Sequence, residues 1–276
     1  MYKITAYAAA IAALIGAPAF AADMPVKAPP RPVAVPVAYS WTGFYVGLNG
    51  GGAWGTFHAT TTTDFNPAPL GGPPVYNISN PMADVVALAA VGAQNIKAAG
   101  FIGGGQVGYN WQSGAAVFGV EADINYLHLS GSETKTGPYP PFPPFTMTVN
   151  SQVNTDWLFT ARPRLGFASN NWLFYATGGL ALTQLHGAFT FTDNLGPALE
   201  TGSISNTKAG WTVGGGVEAG LWDRWTVKAE YLYVDFSSVA TTSNNLVAPT
   251  PFPANVFHHS TDLTANIVRV GLNYRL

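Results

Sequence analysis

FGVEADINY, Phe118–Tyr126, alternates without a break. Phe118, Val120, Ala122, Ile124 and Tyr126 fall on one side of an extended chain. Gly119, Glu121, Asp123 and Asn125 fall on the other, because successive side chains of a strand point to opposite faces. The same grammar recurs downstream. Phe159, Ala161, Leu165 and Phe167 alternate with Thr160, Arg162, Arg164 and Gly166, and Val213, Val217 and Ala219 with Gly214, Gly216 and Glu218. Val227, Ala229 and Tyr231 alternate with Lys228 and Glu230, and Val268, Val270, Leu272 and Tyr274 with Arg269, Gly271, Asn273 and Arg275. One face is apolar; the other is glycine with ionisable groups. Lipid outside and a polar lumen inside account for both.

Composition agrees. Only 9% of the 276 residues are charged, against roughly 25% in a typical soluble domain. Beyond the N-terminus no apolar run approaches the ~18 residues of a spanning helix, so the membrane is crossed by strands. The net charge of −2 carries no nucleic-acid signal, and the absence of Cys fits passage through an oxidising compartment. MYKITAYAAAIAALIGAPAFA, residues 1–21, has the basic start, short apolar core and Ala19-Phe20-Ala21 pattern of a signal peptide. Residues 22–40 are Pro-rich and read as a periplasmic linker, and the barrel as 41–276.

Eight period-two segments are predicted, at 41–55, 100–111, 115–128, 156–168, 171–185, 208–222, 224–236 and 264–276. QSGA, SNN and DR make tight turns between them. The stretches 56–99, 129–155, 186–207 and 237–263 read as four long loops. An all-β, eight-stranded antiparallel transmembrane β-barrel follows, with short periplasmic turns and long extracellular loops. A ten-stranded form stays open, because TFHATTTTDF and PVYNISN in the first long loop have hairpin character. VGLN occurs at Val46–Asn49 and again at Val270–Asn273, as suits first and last strands that meet at a seam. Trp41, Trp54, Trp111, Trp157, Trp172, Trp211, Trp222 and Trp225 all fall at predicted strand ends and form two candidate aromatic girdles. Pro163 inside a strand predicts a local bulge.

WTGFYVGLNGGGAWG, FIGGGQVGYNWQ, FGVEADINY, RPRLGFA, LFYATGGLAL, GWTVGGGVEAGL, VKAEYLYVDF and NIVRVGLNYRL, in that order, resemble the porin-like outer-membrane β-barrel family. That family includes small surface antigens of the opacity-protein and outer-membrane immunogenic-protein type. The resemblance implies an outer-membrane location with loops at the cell surface, contact with outer-membrane lipids and lipopolysaccharide, and handling by the barrel-assembly machinery. It fixes no ligand. The family's chains usually end in Phe, where this one ends in Leu276.

Three sets of residues are candidates for function. Glu121, Asp123, Arg162, Arg164, Glu218, Lys228, Glu230, Arg269 and Arg275 form an inward charge set. Glu121 and Asp123 face Arg162 and Arg164, Glu218 neighbours Lys228, and Glu230 neighbours Arg269. Such a set either fills the lumen and fixes register or lines a narrow solute path. His58, His128, His186, His258 and His259 lie in or beside the long loops. Of these His58, His186, His258 and His259 are the metal or haem candidates, without HxH or HExxH spacing. The loops themselves are the third set. PMADVVALAAVGAQNIKAA predicts a short helix that caps the mouth or meets a partner, and TGPYPPFPPF a stiff polyproline II segment. Gly103-Gly104-Gly105 and Gly214-Gly215-Gly216 lie mid-strand without a following helix, which excludes a phosphate loop. They make room in the lumen instead. His58 and Asp64 have no catalytic partner in the sequence, so the chain reads as non-enzymatic, cofactor-free, and monomeric or weakly oligomeric.

Overall fold

The computed structural model describes residues 39–64, 81–140, 143–194, 198–222, 224–244, 246–247 and 256–276. The expected signal peptide, the linker apart from Tyr39 and Ser40, and PVYNISN lie outside them. Eight antiparallel strands close into a ring in chain order. They are β1 (Gly43–Thr63), β2 (Gln94–Ser113), β3 (Ala116–Pro138), β4 (Thr146–Ser169), β5 (Trp172–Asp193), β6 (Ala198–Gly220), β7 (Trp225–Ser243) and β8 (Phe257–Arg275). TFHATTTTDF contributes Thr56–Thr63 to β1 rather than an added hairpin.

β1 and β8 pair at the seam, with Leu48 opposite Leu272 and Gly47 opposite Asn273. Both VGLN strings therefore lie side by side, Val and Leu outward and Asn inward. The predicted tight turns QSGA and SNN are present, and DR includes Asp223, which lies outside the described residues. Gly114 (φ 61°) and Asn170 (φ 54°) take the left-handed conformation that such hairpins require.

The strands are longer than the sequence predicts. They run from 19 residues in β7 and β8 to 24 in β4. At ~3.3 Å per residue they are roughly 60–80 Å long, whereas ~9–11 tilted residues cross the hydrocarbon. About half of each strand stands clear of the bilayer. Much of the four presumed long loops is thus barrel wall, and the β3–β4 and β5–β6 connections shrink to residues 139–145 and 194–197.

The cause is an inversion of polarity along each strand. In β8 the inward residues are Phe257, His259, Thr261, Leu263, Ala265 and Ile267, and then Arg269, Gly271 and Asn273. The outward residues are His258, Ser260, Asp262, Thr264 and Asn266, and then Val268, Val270 and Leu272. The phase never changes; the chemistry swaps sides between Ile267 and Val268. β7 does the same, with Thr226, Lys228 and Glu230 giving way to Leu232, Val234 and Phe236 on its buried face. Below the swap the wall is apolar outside and polar inside, as a bilayer demands. Above it the wall follows the rule of a soluble protein, with Phe57, Ile102, Leu158, Phe189, Phe236 and Leu263 in one buried core.

Three strand bulges lie near this level, between Tyr126 and Leu129, Thr155 and Leu158, and Phe236 and Val239, where bulges commonly re-aim a barrel rim. The expected bulge at Pro163 is absent. Ala161 pairs with Leu180 and Arg164 with Thr177 in one unbroken register. The strand instead omits the two intervening pairs, and Thr177 Oγ1 donates to the Pro163 carbonyl at 2.9 Å.

A helix, α1 (Pro81–Gly92), closes the loop end. It is shorter than predicted because Gln94–Gly100 already belongs to β2. Its Leu88 and Val91 pack on Tyr139, Met147, Val149, Phe191 and Phe257, so the cap reading holds. The described part of TGPYPPFPPF is a strand end and turn rather than polyproline II. The Tyr139 amide donates to the Phe145 carbonyl, and both side chains join the cap.

Candidate functional site

In the membrane half, four cations and four carboxylates face one another across the lumen: Arg162, Arg164, Lys228 and Arg269 with Glu121, Asp123, Glu218 and Glu230, none more than 4% exposed. Register explains the first contacts. Glu121 stands opposite Arg162 across β3–β4 and Glu230 opposite Arg269 across β7–β8. Arg162 Nη2 lies 2.7 Å from Glu121 and 2.8 Å from Asp123, and Arg269 Nη2 lies 2.7 Å from Glu230.

Contacts across the lumen are the part that pairwise register misses. Lys228 Nζ donates to Glu121 at 2.8 Å, Arg269 reaches Asp123 at 3.0 Å, and Arg164 reaches Glu218 at 2.8 Å. Glu218 and Lys228 are register partners, yet their charges turn to other partners. Thr226 and Asn273 donate to Glu218 instead. Arg275 also departs from expectation. It sits at the short-turn mouth, with its guanidinium 4.4 Å from the centre of the Tyr39 ring.

Neutral residues of the same inward phase complete the shell, and the sequence reading did not single them out. Tyr45 donates to Glu121 at 2.7 Å and accepts from Arg164 at 2.9 Å, while Tyr175 donates to Glu230 at 3.0 Å beneath the Arg164 guanidinium. Thr160 and Asn125 donate to Asp123. Gln106 links Asn49 to Asn273. Gly216 leaves the room that Tyr175 uses, since a Cβ there would stand 2.7 Å from the tyrosine oxygen.

Trp41 is a correction to the girdle. It is 1% exposed and packs inside the short-turn mouth with Tyr39, Val117, Leu173 and Tyr175. It stops the lumen rather than marking the lipid interface. Trp54, Trp111, Trp172, Trp211, Trp222 and Trp225 are exposed on the outer wall, and Trp157 is half-buried.

The histidines do not converge. His58 pairs with Asp262 at 2.6 Å, His258 with Asp64 at 3.0 Å and His186 with Asp156 at 3.5 Å, each on the exposed wall. His128 lies in the same outward phase, stacked on Tyr126. His259 points the opposite way from His258, as strand neighbours must. It is fully buried between Thr61, Ser243 and Glu200. Among the described residues no three His, Cys, Asp or Glu side chains are grouped to hold a metal ion. The imidazoles proposed as metal ligands are thus spent singly on carboxylates.

A closed antiparallel barrel with an apolar outer band and a charged interior is a membrane-spanning β-barrel. The chain belongs to the outer membrane protein β-barrel family, whose model matches residues 7–275. It is 35% identical over 271 residues to the 31 kDa outer-membrane immunogenic protein of Brucella melitensis, covering 97% of both chains. It is 36% identical over 137 residues to a 22 kDa outer membrane protein of Rhizobium leguminosarum, covering 49% of this chain and 53% of that one. Among solved structures, Neisserial surface protein A aligns over 85% of this chain and 98% of that one, at 13% identity and a TM-score of 0.33. The protein resides in the outer membrane.

Proposed function

We propose that this barrel is a non-conducting outer-membrane surface protein, with a structural and antigenic role carried by its outer wall. The observation behind the reading is Glu121. One carboxylate receives Arg162 and Lys228 and a tyrosine hydroxyl, all within 2.9 Å and all buried. Four buried cations and four buried carboxylates in mutual contact fill the lumen, and an eight-stranded barrel is only just wide enough for its own side chains. Trp41 below and α1 above add two further stoppers. The immunogenic relatives support exposure to the outside, and their names attach no catalysis to the family. The reading includes contact with lipopolysaccharide, delivery by the barrel-assembly machinery and no catalytic step.

Planar-bilayer recording of the refolded protein tests it. The expected result is silence from barrels shown to be folded by their heat-dependent gel shift. Stable unitary steps that change when Arg162 or Glu230 is neutralised would overturn it in favour of a narrow ion path.

A further inference from the structure

The barrel wall is complete through the membrane and then splits. β6 and β7 pair from Gly220–Thr226 up to Gly210–Phe236. Above that point Ser203–Ala209 of β6 pairs with β5 alone, and Val239–Ser243 of β7 pairs with β8 alone. The strands rejoin higher up, where Leu199 and Val247 exchange both backbone hydrogen bonds at 2.8 Å. Ser243 and Glu200 also join them there by a side-chain hydrogen bond. Among the described residues this leaves a slot in the wall, closed at both ends.

Its position follows from solvent. An unpaired strand edge is not tolerated in hydrocarbon, and the ladder stops one residue above Trp211, which pairs with Asp235 at the membrane rim. Ser203, Ser205, Thr207 and Ala209, the outward residues of the free β6 segment, are all exposed, and three of the four are polar. In an antiparallel sheet every second residue of an edge strand turns its N–H and C=O away from its one neighbour. The β6 edge therefore presents a regular row of backbone donors and acceptors to the slot. The β7 edge is blunted by its bulge, with Ser237 and Ser238 both exposed, a known way of discouraging pairing. Glu200 adds a side-chain acceptor beside the upper border. It is fully buried, and its Oε2 has no hydrogen-bond partner.

We infer that this slot is a docking site for one extended peptide segment of a partner protein, which adds a strand to the β6 edge between Ser203 and Ala209. Two features select that occupant. A row of alternating donors and acceptors at strand spacing matches another backbone. The closed ends exclude the broad edge of a second barrel. The inward residues of the free segment are Ile204, Asn206 and Lys208, with Val239 across the slot, so the added strand meets one apolar side chain on each border and polar groups between them. The inference goes beyond the proposed function and does not depend on whether the lumen conducts.

Hydrogen exchange of the wild-type protein in lipid nanodiscs tests it without any variant. Alternate amides of residues 203–209 should exchange about tenfold or more faster than those of 212–218. The capped peptide TVTVTVT at millimolar concentration should slow them about tenfold, and the same peptide with every second amide N-methylated should not. Full protection before peptide is added would show that the slot is shut, and the inference falls. Slowing by neither peptide, or equally by both, also overturns it. Slowing by lipopolysaccharide core oligosaccharide alone would reassign the slot to carbohydrate.

Discussion

Arg162 of β4 and Glu121 of β3 stand directly opposite in register, and their charged atoms meet at 2.7 Å with Arg162 fully buried. The same guanidinium also touches Asp123 and comes within 3.4 Å of Glu230. Replacing Arg162 with Met takes one buried cation from three carboxylates at once and leaves Glu121 to Lys228, and Asp123 and Glu230 to Arg269. The expected loss is about 3 kcal/mol or more, read as a lower urea midpoint for unfolding from lipid vesicles. An unchanged midpoint would mean that the charges are independently solvated.

Glu121 and Lys228 lie on strands far apart around the ring yet meet at 2.8 Å. Glu121→Gln and Lys228→Met should each destabilise strongly, and the double variant by less than their sum. A coupling of roughly 0.5–3 kcal/mol is expected for groups in contact. Strict additivity in the four-way cycle would refute contact across the lumen.

Trp41 should be dark to the bilayer. Lipids brominated on their acyl chains quench tryptophans at the outer wall, so a variant retaining only Trp41 should show little quenching. A variant retaining only Trp211 should be strongly quenched. Similar quenching of the two would return Trp41 to the girdle.

The level at which polarity inverts can be probed by outward lysines on β8. Asn266→Lys should be tolerated, Val268→Lys mildly destabilising and Val270→Lys worse, approaching about 2–4 kcal/mol toward the bilayer midplane. Equal effects at all three positions would detach the inversion from the membrane boundary.

Asp84 in the cap helix is 1% exposed with neither carboxylate oxygen hydrogen-bonded, and burial raises its pKa to about 6. A raised acid favours the protonated form when docked. Cap stability is then greatest below the ordinary carboxylate range near 4 and falls as pH climbs through about 6. Exchange of α1 amides should quicken over that interval in the wild type and stay flat in Asp84→Asn. A pH-independent wild type would contradict the burial.

Where lipid and lumen set the pattern, the sequence was legible. The alternation seen in Phe118–Tyr126 and its counterparts marked the two faces, the eight strands and the inward charges other than Arg275, because a lipid face rejects polar groups at every second residue. Above the membrane that contrast vanishes. Thr60-Thr61-Thr62-Thr63 alternates outward and inward in space but shows nothing of it as a string. The partners of Glu218 and Lys228 escaped for a different reason. Register fixes neighbours along the wall, whereas long side chains in a narrow lumen choose partners across it. Trp41 misled because a rim position suits both a lipid anchor and a stopper.

Under the proposed function, the wall above the bilayer is what an outside molecule reads. On it Thr60 of β1 touches Ser260 of β8 through hydroxyls 2.7 Å apart, with two hundred residues of chain between them. Any patch of this surface is a mosaic of alternate residues from adjoining strands. An antibody raised on the folded barrel should accordingly lose its target on boiling, and overlapping linear peptides should fail to recover it.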